Sequence, residues 1–483
     1  MLDINETTEI SLQESDTGAP VKPTSMWSVL RDAIRGRHMD YTTAPISRAI
    51  VMLAVPMVME MIMESIFAVA DVFWVAHLGS DAVATIGLTE SMLAIIYSVA
   101  VGVSIGAMAL VARRIGEKDL DSAAHSAVQT IVLGVVIALM IGVTAGSSAS
   151  NLLALMGASP EVIKTGSGFT TVMLSGNITV VLLFVINAVF RGAGDAAIAM
   201  RVLWLGNILN ILLGPCFIFG LGPFPALGVT GAAVATNIGR GTAVVYQLYT
   251  LARGRGHIII KRKHLGLDTG IMAKVLRLSG SGTIQIFIAT ASYVGVVRII
   301  SDFGSIALAG YTIGIRLIIF ALLPSWGMSN AAATLVGQNL GAGKPDRAER
   351  AVWLACRYNA LFLGSIGLLF ILFANPLIAF FTSDAAVQTY GVACLRIVSA
   401  GFLFYAYGMV ITQSFNGAGD TSTPLIINLF IYWLWELPLA WFLSHHTGLG
   451  PYGAFLALAI AFSTLALVGA IVFRRGRWKV KKV

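Results

Sequence analysis

The chain has 483 residues and a net charge of +8, and it is 57% hydrophobic but only 12% charged. That charged share is about half that of an ordinary soluble domain, and no soluble fold could bury so much apolar surface. A water-soluble enzyme or nucleic-acid-binding domain is therefore excluded as the frame for the whole chain, and lipid is the solvent the composition fits.

The first 45 residues are polar and lack the apolar core of a cleavable signal peptide, so residues 1–45 read as an N-terminal arm that stays in the cytoplasm. Within it, Trp27, Val29, Leu30 and Ile34 alternate with arginines between Met26 and Arg37. That stretch suits either a short interfacial helix or a solvated arm. Apolar runs then follow at 47–77, 82–111, 122–147, 165–190, 197–220 and 228–252, and again at 270–301, 306–336, 349–378, 386–415, 422–444 and 452–473. Each is about the length a helix needs to cross the ~30 Å hydrocarbon core. Backbone groups in lipid must be satisfied internally, and runs this long and glycine-rich suit helices better than barrel strands. The expected fold is all-α and integral to the membrane, with twelve transmembrane helices in two pseudo-symmetric six-helix lobes. The N-lobe covers 46–252, a basic linker 253–267, the C-lobe 268–478 and a basic tail 479–483.

Loop charge gives the topology. Arg31, Arg35, Arg37 and Arg48 precede the first span; Arg113, Arg114 and Lys118 follow the second; Arg191 and Arg201 flank the turn after the fourth. Arg253, Arg255, Lys261, Arg262 and Lys263 follow the sixth, Lys344 and Arg347 the eighth, and the tail is basic. The alternate turns around Gly79, Gly222, Gly304 and Ser383 are nearly free of cations. By the enrichment of cytoplasmic loops in Lys and Arg, both termini should be cytoplasmic. The turn after span ten is an exception, with only Asp420. Cys216, Cys356 and Cys394 have no metal-type spacing and read as buried free thiols.

One offset recurs along the chain. Phe190-Arg-Gly-Ala-Gly-Asp195 matches Phe415-Asn-Gly-Ala-Gly-Asp420, Gly79 matches Gly304, and Gly116 and Asp121 match Gly341 and Asp346, every pair 225 positions apart. Two halves of six spans enter the membrane in the same sense, which makes a parallel repeat about an axis along the membrane normal. Rocking such halves about a cleft is a physical route to alternating access.

Ionisable groups inside spans are expensive and mark function by default. Glu60, Glu64 and Asp71 fall within about 40° of one another on one face of the first helix. Such a stripe should face the cleft or a neighbouring helix. Its carboxylates suit a proton path, or with amide and carbonyl oxygens a hard cation such as sodium. Alternatively, one or two of them are neutralised by an arginine, with Arg298, Arg316 and Arg240 as candidates. Asn177 and Asn187 in span four, Asn207 and Asn210 in span five and Thr236 in span six could complete a cation site. Glu60, Asn177, Gln285 and Tyr405 are expected to line the substrate cleft. Glu90 and Glu436 are further buried acids, and Pro56 gives span one a place to bend.

Several stretches resemble the MATE (multidrug and toxic compound extrusion) family: Pro56 to Gly79, the Phe190–Asp195 element, Val336-Gly-Gln-Asn-Leu-Gly-Ala-Gly-Lys344 and Gly231-Ala-Ala-Val-Ala-Thr236. The resemblance runs from about Ile46 to Trp478. It implies a proton- or sodium-driven antiporter that exports organic cations or amphiphiles, needs no cofactor or enzyme chemistry, and works in the cell's inner membrane. It also implies that Asp71 binds the coupling ion, sodium being one candidate, and that span one bends at Pro56. The expected partners are the small-molecule substrate and the lipid bilayer, with no nucleic acid and no obligatory protein partner. Many relatives carry an acid or amide where this chain has Gly214, and the NorM branch carries acids where Ala289 and Tyr405 stand. Glu64 takes a place usually held by an amide, and is expected to restore the carboxylate missing at Gly214. The alternative reading is a flippase for lipid-linked saccharides.

Overall fold

A computed structural model describes residues 26–481. Helix α1 (Met26–Arg35) precedes the first lobe, which comprises α2 (Ile46–Ala76), α3 (Ser80–Gly116), α4 (Leu120–Ser147), α5 (Ala149–Leu155), α6 (Pro160–Ser175), α7 (Asn177–Ala193), α8 (Ala196–Phe219) and α9 (Val229–Arg253). The second comprises α10 (Thr269–Ser301), α11 (Ser305–Gly341), α12 (Pro345–Leu372), α13 (Ala374–Ala379), α14 (Ala385–Ala400), α15 (Phe402–Gly417), α16 (Ser422–Asn428), a π-helical stretch Leu429–Glu436, α17 (Leu437–His446) and α18 (Pro451–Arg474). Among the described residues ten segments are long and apolar enough to cross a membrane, and α14 with α15, bent by 57°, makes an eleventh. The twelfth is α9, long enough at 25 residues but less apolar because it carries Asn237, Arg240 and Gln247. Span four is α6 and α7 in line, and α2 runs unbroken through Pro56.

Met26–Arg35 is helical rather than a solvated coil. Val29 and Ala33 of α1 are buried while Trp27 is 80% exposed, so one face of α1 docks on the bundle. Cys356 and Cys394 are buried free thiols, and Cys216, expected to be buried, is partly exposed on α8.

The repeat is visible in the backbone. Gly79 and Gly304 precede α3 and α11 with φ of 96° and 97°, a conformation glycine adopts without a Cβ clash. The two lobes meet through the halves of α2, α3, α10 and α11 nearest the basic end, and the contacts there are reciprocal. A Cβ on Gly116 would collide with the Gln338 carbonyl, and one on Gly341 with the Arg113 carbonyl; 113 and 338 are themselves 225 apart. Arg113 Nη2 donates to Ala418 O at 3.3 Å, and Gln338 Nε2 donates to Gly192 O at 2.9 Å, so each lobe caps the turn of the other. Gly102 lies against Thr283, and a Cβ on Gly327 would approach Met57 O at 2.7 Å. The loop around Asp420, poor in cations of its own, receives Lys481 at 3.3 Å from the tail.

These approaches leave no room for a methyl group where backbone meets backbone. Gly116→Ala and Gly341→Ala should each cost about 1–3 kcal/mol, read as a lower unfolding temperature of the purified protein. Gly280→Ala, with nothing within 4 Å of its Cβ direction, should melt like wild type.

Candidate functional site

Glu60 was expected on a cleft wall but is fully buried inside the N-lobe. Asn187 Nδ2 donates to its Oε1 at 2.9 Å, Arg191 Nε donates to its Oε2 at 3.2 Å, and Arg191 Nη2 closes the ion pair on Oε1. Gln247 Nε2 holds Asn187 Oδ1 at 2.6 Å. Of the three arginines considered from the sequence, none pairs with Glu60: Arg298 pairs with Asp302 at 2.6 Å and Arg316 acts on Glu90, while Arg240 bonds Tyr97 and acts on Glu64 and Asp71. A carboxylate so enclosed, with its countercharge and an amide, is a structural ion pair rather than a free ligand.

The same place in the C-lobe holds Gln285 and Asn416, each 225 positions beyond Glu60 and Arg191. Gln285 Nε2 donates to Asn416 Oδ1 at 3.2 Å and to Thr421 O at 2.8 Å. An acid and a cation in one lobe have become two amides in the other, so both versions are neutral and hydrogen-bonded. Sequence reasoning missed Arg191 as the partner, although this paired change within the repeat was the signal for it. Gln285 is therefore buried and engaged rather than lining a cleft in this conformation. Asn177, fully buried, donates to Leu174 O and Ala138 O, and Tyr405 stacks on Phe462 with centroids 3.8 Å apart. Both serve packing here.

Further along α2, Asn207 Nδ2 of α8 donates to Glu64 Oε2 at 3.0 Å. Asn210 Nδ2 donates to Thr236 Oγ1 at 2.7 Å, tying α8 to α9, and the Thr236 hydroxyl donates to Ala232 O. Trp204 Nε1 fixes the register of α8 against α2 by donating to Met59 O. Asp71 makes no hydrogen bond or ion pair among the described residues; the charges acting on it are Arg240 and Glu90. Arg240 is 6% exposed, donates to Tyr97 Oη at 3.1 Å, lies over the Phe67 and Tyr97 rings, and has an unpartnered Nη1. A Cβ at Gly214 would lie 3.9 Å from Trp74 and 4.0 Å from Asn210 Oδ1, so a side chain there would fit and would point at the amide. Trp74 is one turn beyond Asp71 on α2. The structure thus brings Glu60 and Asn187 into one cluster, Glu64 and Asn207 into a second, and Asn210 with Thr236 into a third, beside the α2 turn that carries Asp71.

The acids look into the N-lobe, and the opposite face of α2 looks elsewhere. Ser65, Ile66, Val69, Ala70 and Phe73 join Phe320 of α11 around an open apolar cavity of about 490 Å³ between the lobes. It lies beyond the interlobe contacts, away from the basic end. In the C-lobe, Glu436 is 3% exposed; its Oε1 accepts from Ser292 at 3.0 Å and its Oε2 has no partner. It closes the π-helical stretch two residues before Pro438.

Comparison with known proteins adds identity to this geometry. The MatE family model matches residues 56–216 and 283–442, one segment in each lobe. The chain is 27% identical over 447 residues to a probable multidrug resistance protein NorM of Thermotoga maritima, covering 91% of this chain and 94% of that one. It is 26% identical over 429 residues to an FAD transporter of Shewanella oneidensis, covering 88% and 94%. Among solved structures it superposes with a TM-score of 0.85 and 26% identity on one described as an outward-facing conformation of a multidrug resistance MATE family transporter, covering 96% of this chain and all of the other. A MATE described as in the straight conformation gives the same score and identity over 95% of this chain.

The Glu60 cluster makes a stability test. Removing the cation alone by Arg191→Met strands a buried carboxylate and should destabilise by about 3–5 kcal/mol. The double change Glu60→Gln with Arg191→Asn recreates the amide pair of the C-lobe and should recover most of that loss in thermal unfolding.

Proposed function

The chain belongs to the MatE family, a family of transporters rather than enzymes, and on that premise we propose that it is a multidrug efflux antiporter driven by a proton or sodium ion bound at Asp71. Its basic end faces the cytoplasm of the inner membrane, following the loop charge. The lobes are then closed on the cytoplasmic side and parted on the outer side, which is the substrate-release state of an exporter.

One observation carries the coupling: α2 presents Asp71, Glu64 and Glu60 to the N-lobe on one face and the cavity-lining Ser65, Ile66, Val69, Ala70 and Phe73 on the other. An ion that loads the first face alters the helix that forms the second. Asp71, without a bonded partner, is the carboxylate free to gain and release an ion, whereas Glu60 is committed to Arg191. Carboxylate, amide and hydroxyl oxygens of the type that Asp71, Glu64, Asn210 and Thr236 carry are hard donors that suit sodium, and the same carboxylates accept protons. Differential binding of ion and substrate to the inward- and outward-open states is what makes the exchange obligatory. Pro56 leaves the Met52 carbonyl without its intrahelical donor, and gives α2 a place to flex between those states. The apolar cavity suits an amphiphilic cargo. Its lining residues carry no cation, and Arg316, one turn from Phe320 on α11, has Glu90 as its countercharge, which disfavours a lipid-linked pyrophosphate and the flippase reading.

In proteoliposomes, efflux of a fluorescent organic cation should respond to an imposed proton or sodium gradient, and Asp71→Asn should abolish that response while still exchanging substrate down its own gradient. Unchanged gradient-driven efflux in the variant would refute the assignment. Glu64→Gln should weaken coupling at least tenfold, and adding Gly214→Asp, whose side chain has room beside Asn210, should restore it; a fold change of that size corresponds to about 1.4 kcal/mol.

A further inference from the structure

At the basic end, away from the transport cleft, a partly open cavity of about 260 Å³ lies where α1, the turn after α7 and the interlobe linker converge. Arg35, Arg37, Arg201 and Arg255 line it, with His38 and His257. Its single acid is Asp195, and both oxygens of that carboxylate are engaged. The His257 backbone N–H donates to Oδ2 at 2.6 Å, and His257 Nδ1 meets Oδ1 at 2.6 Å. Burial works against the His257 imidazolium, but the hydrogen bond and charge of Asp195 outweigh it and raise the His257 pKa. His257 Nε2 then faces His38 Nδ1 at 3.4 Å. The walls are rigid: Tyr41 Oη donates to Gly194 O, Arg201 Nη2 donates to Arg35 O, and Gly36, at φ 67°, leaves no room for a Cβ between α1 and α8.

Asp32 pairs with Arg37 at 3.7 Å from outside the lining, but four arginines and two histidines against Asp195 still leave a surplus of positive charge that suits an anion. The two histidines and Asp195 are near enough to suggest a metal site. His38 Nδ1 lies 3.7 Å from Asp195 Oδ1 and 3.4 Å from His257 Nε2, but both Asp195 oxygens are already taken by His257 and the surrounding arginines would repel a cation. The cavity also adjoins α1, whose Trp27 is 80% and Ile34 40% exposed, as expected of a helix lying at headgroup depth. We propose that this cavity binds a phosphoryl group, from an anionic phospholipid headgroup or from free phosphate, and thereby pins α1 and the linker to the N-lobe.

The test is thermal unfolding of the full chain in mixed micelles. It would be titrated with phosphatidylglycerol or phosphatidylcholine in one arm, inorganic phosphate in a second and Zn²⁺ in a third. Wild type should be stabilised by phosphatidylglycerol or by phosphate, and the responding arm names the source. Arg35→Gln with Arg255→Gln should weaken that response on the order of 10–30-fold. Arg262→Gln with Arg475→Gln, exposed cations elsewhere on the same end, should leave it within twofold. Equal stabilisation by phosphatidylcholine, an equal loss in both double variants, stabilisation by Zn²⁺ alone, or no response to any probe would each overturn the proposal.

Discussion

Everything else in this molecule depends on how closely two repeated helices approach at one end. α3 and α11 touch through glycines and carbonyls, with Gly116 against Gln338 and Gly341 against Arg113, and positions 112 and 337 facing each other across the pseudo-axis. Only residues without side chains allow backbones this near, and close packing of small residues is how helices associate where lipid supplies no hydrophobic drive. Because the contact is reciprocal, it closes one side of the bundle symmetrically and leaves the far side parted. The apolar cavity between α2 and α11 exists because the lobes meet at one end only.

That end is also where the connecting chain is tied down. In each repeat the aspartate of the Gly-Ala-Gly-Asp turn holds the segment that follows the sixth span: Asp195 holds His257 of the linker, and Asp420 holds Lys481 of the tail. The equivalence explains why the turn after span ten needs no cation of its own. It also gives the repeat a mechanical sense. Each lobe carries its own strap and donates into the other at repeat-related positions, Arg113 to Ala418 and Gln338 to Gly192.

Much of this was legible in the sequence. Span length, loop charge and a single offset of 225 were enough for a twelve-helix, two-lobe membrane protein, because hydrocarbon thickness and the cost of unpaired backbone groups restrict the options severely. Span six can be the least apolar because its polar residues, Gln247 and Arg240 among them, bond inside the lobe rather than facing lipid. The site was harder to read. A helical wheel puts Glu60, Glu64 and Asp71 on one face but cannot say what lies opposite, so the enclosure of Glu60 by Arg191 and Asn187 was hidden, as was the burial of Gln285 and Asn177. Long-range partners of buried polar groups come from tertiary packing, which periodicity does not encode. The exception is the coordinated change of Glu60 and Arg191 to Gln285 and Asn416, readable once the halves are aligned.

That change also bears on why the lobes have diverged in function. Both versions of the cluster are neutral overall, since a buried charge without a partner is too costly for either lobe to keep. Neutrality at this level leaves the next turns of α2 and α10 free to differ. The N-lobe places Glu64 and Asp71 there, close to the unpartnered nitrogen of Arg240, while the aligned C-lobe positions are Ala289 and Val296. The acids of this helix pair thus gather in the N-lobe, on the helix whose other face borders the cavity. In the C-lobe the remaining acid, Glu436, comes instead from span eleven, where the π-helical turns place it beside Ser292 with one oxygen unbonded. Widened helical turns of this kind concentrate at functional positions. A duplicated scaffold has in this way kept its symmetry where the lobes must close together and lost it where the two halves of α2 and α10 face their own interiors.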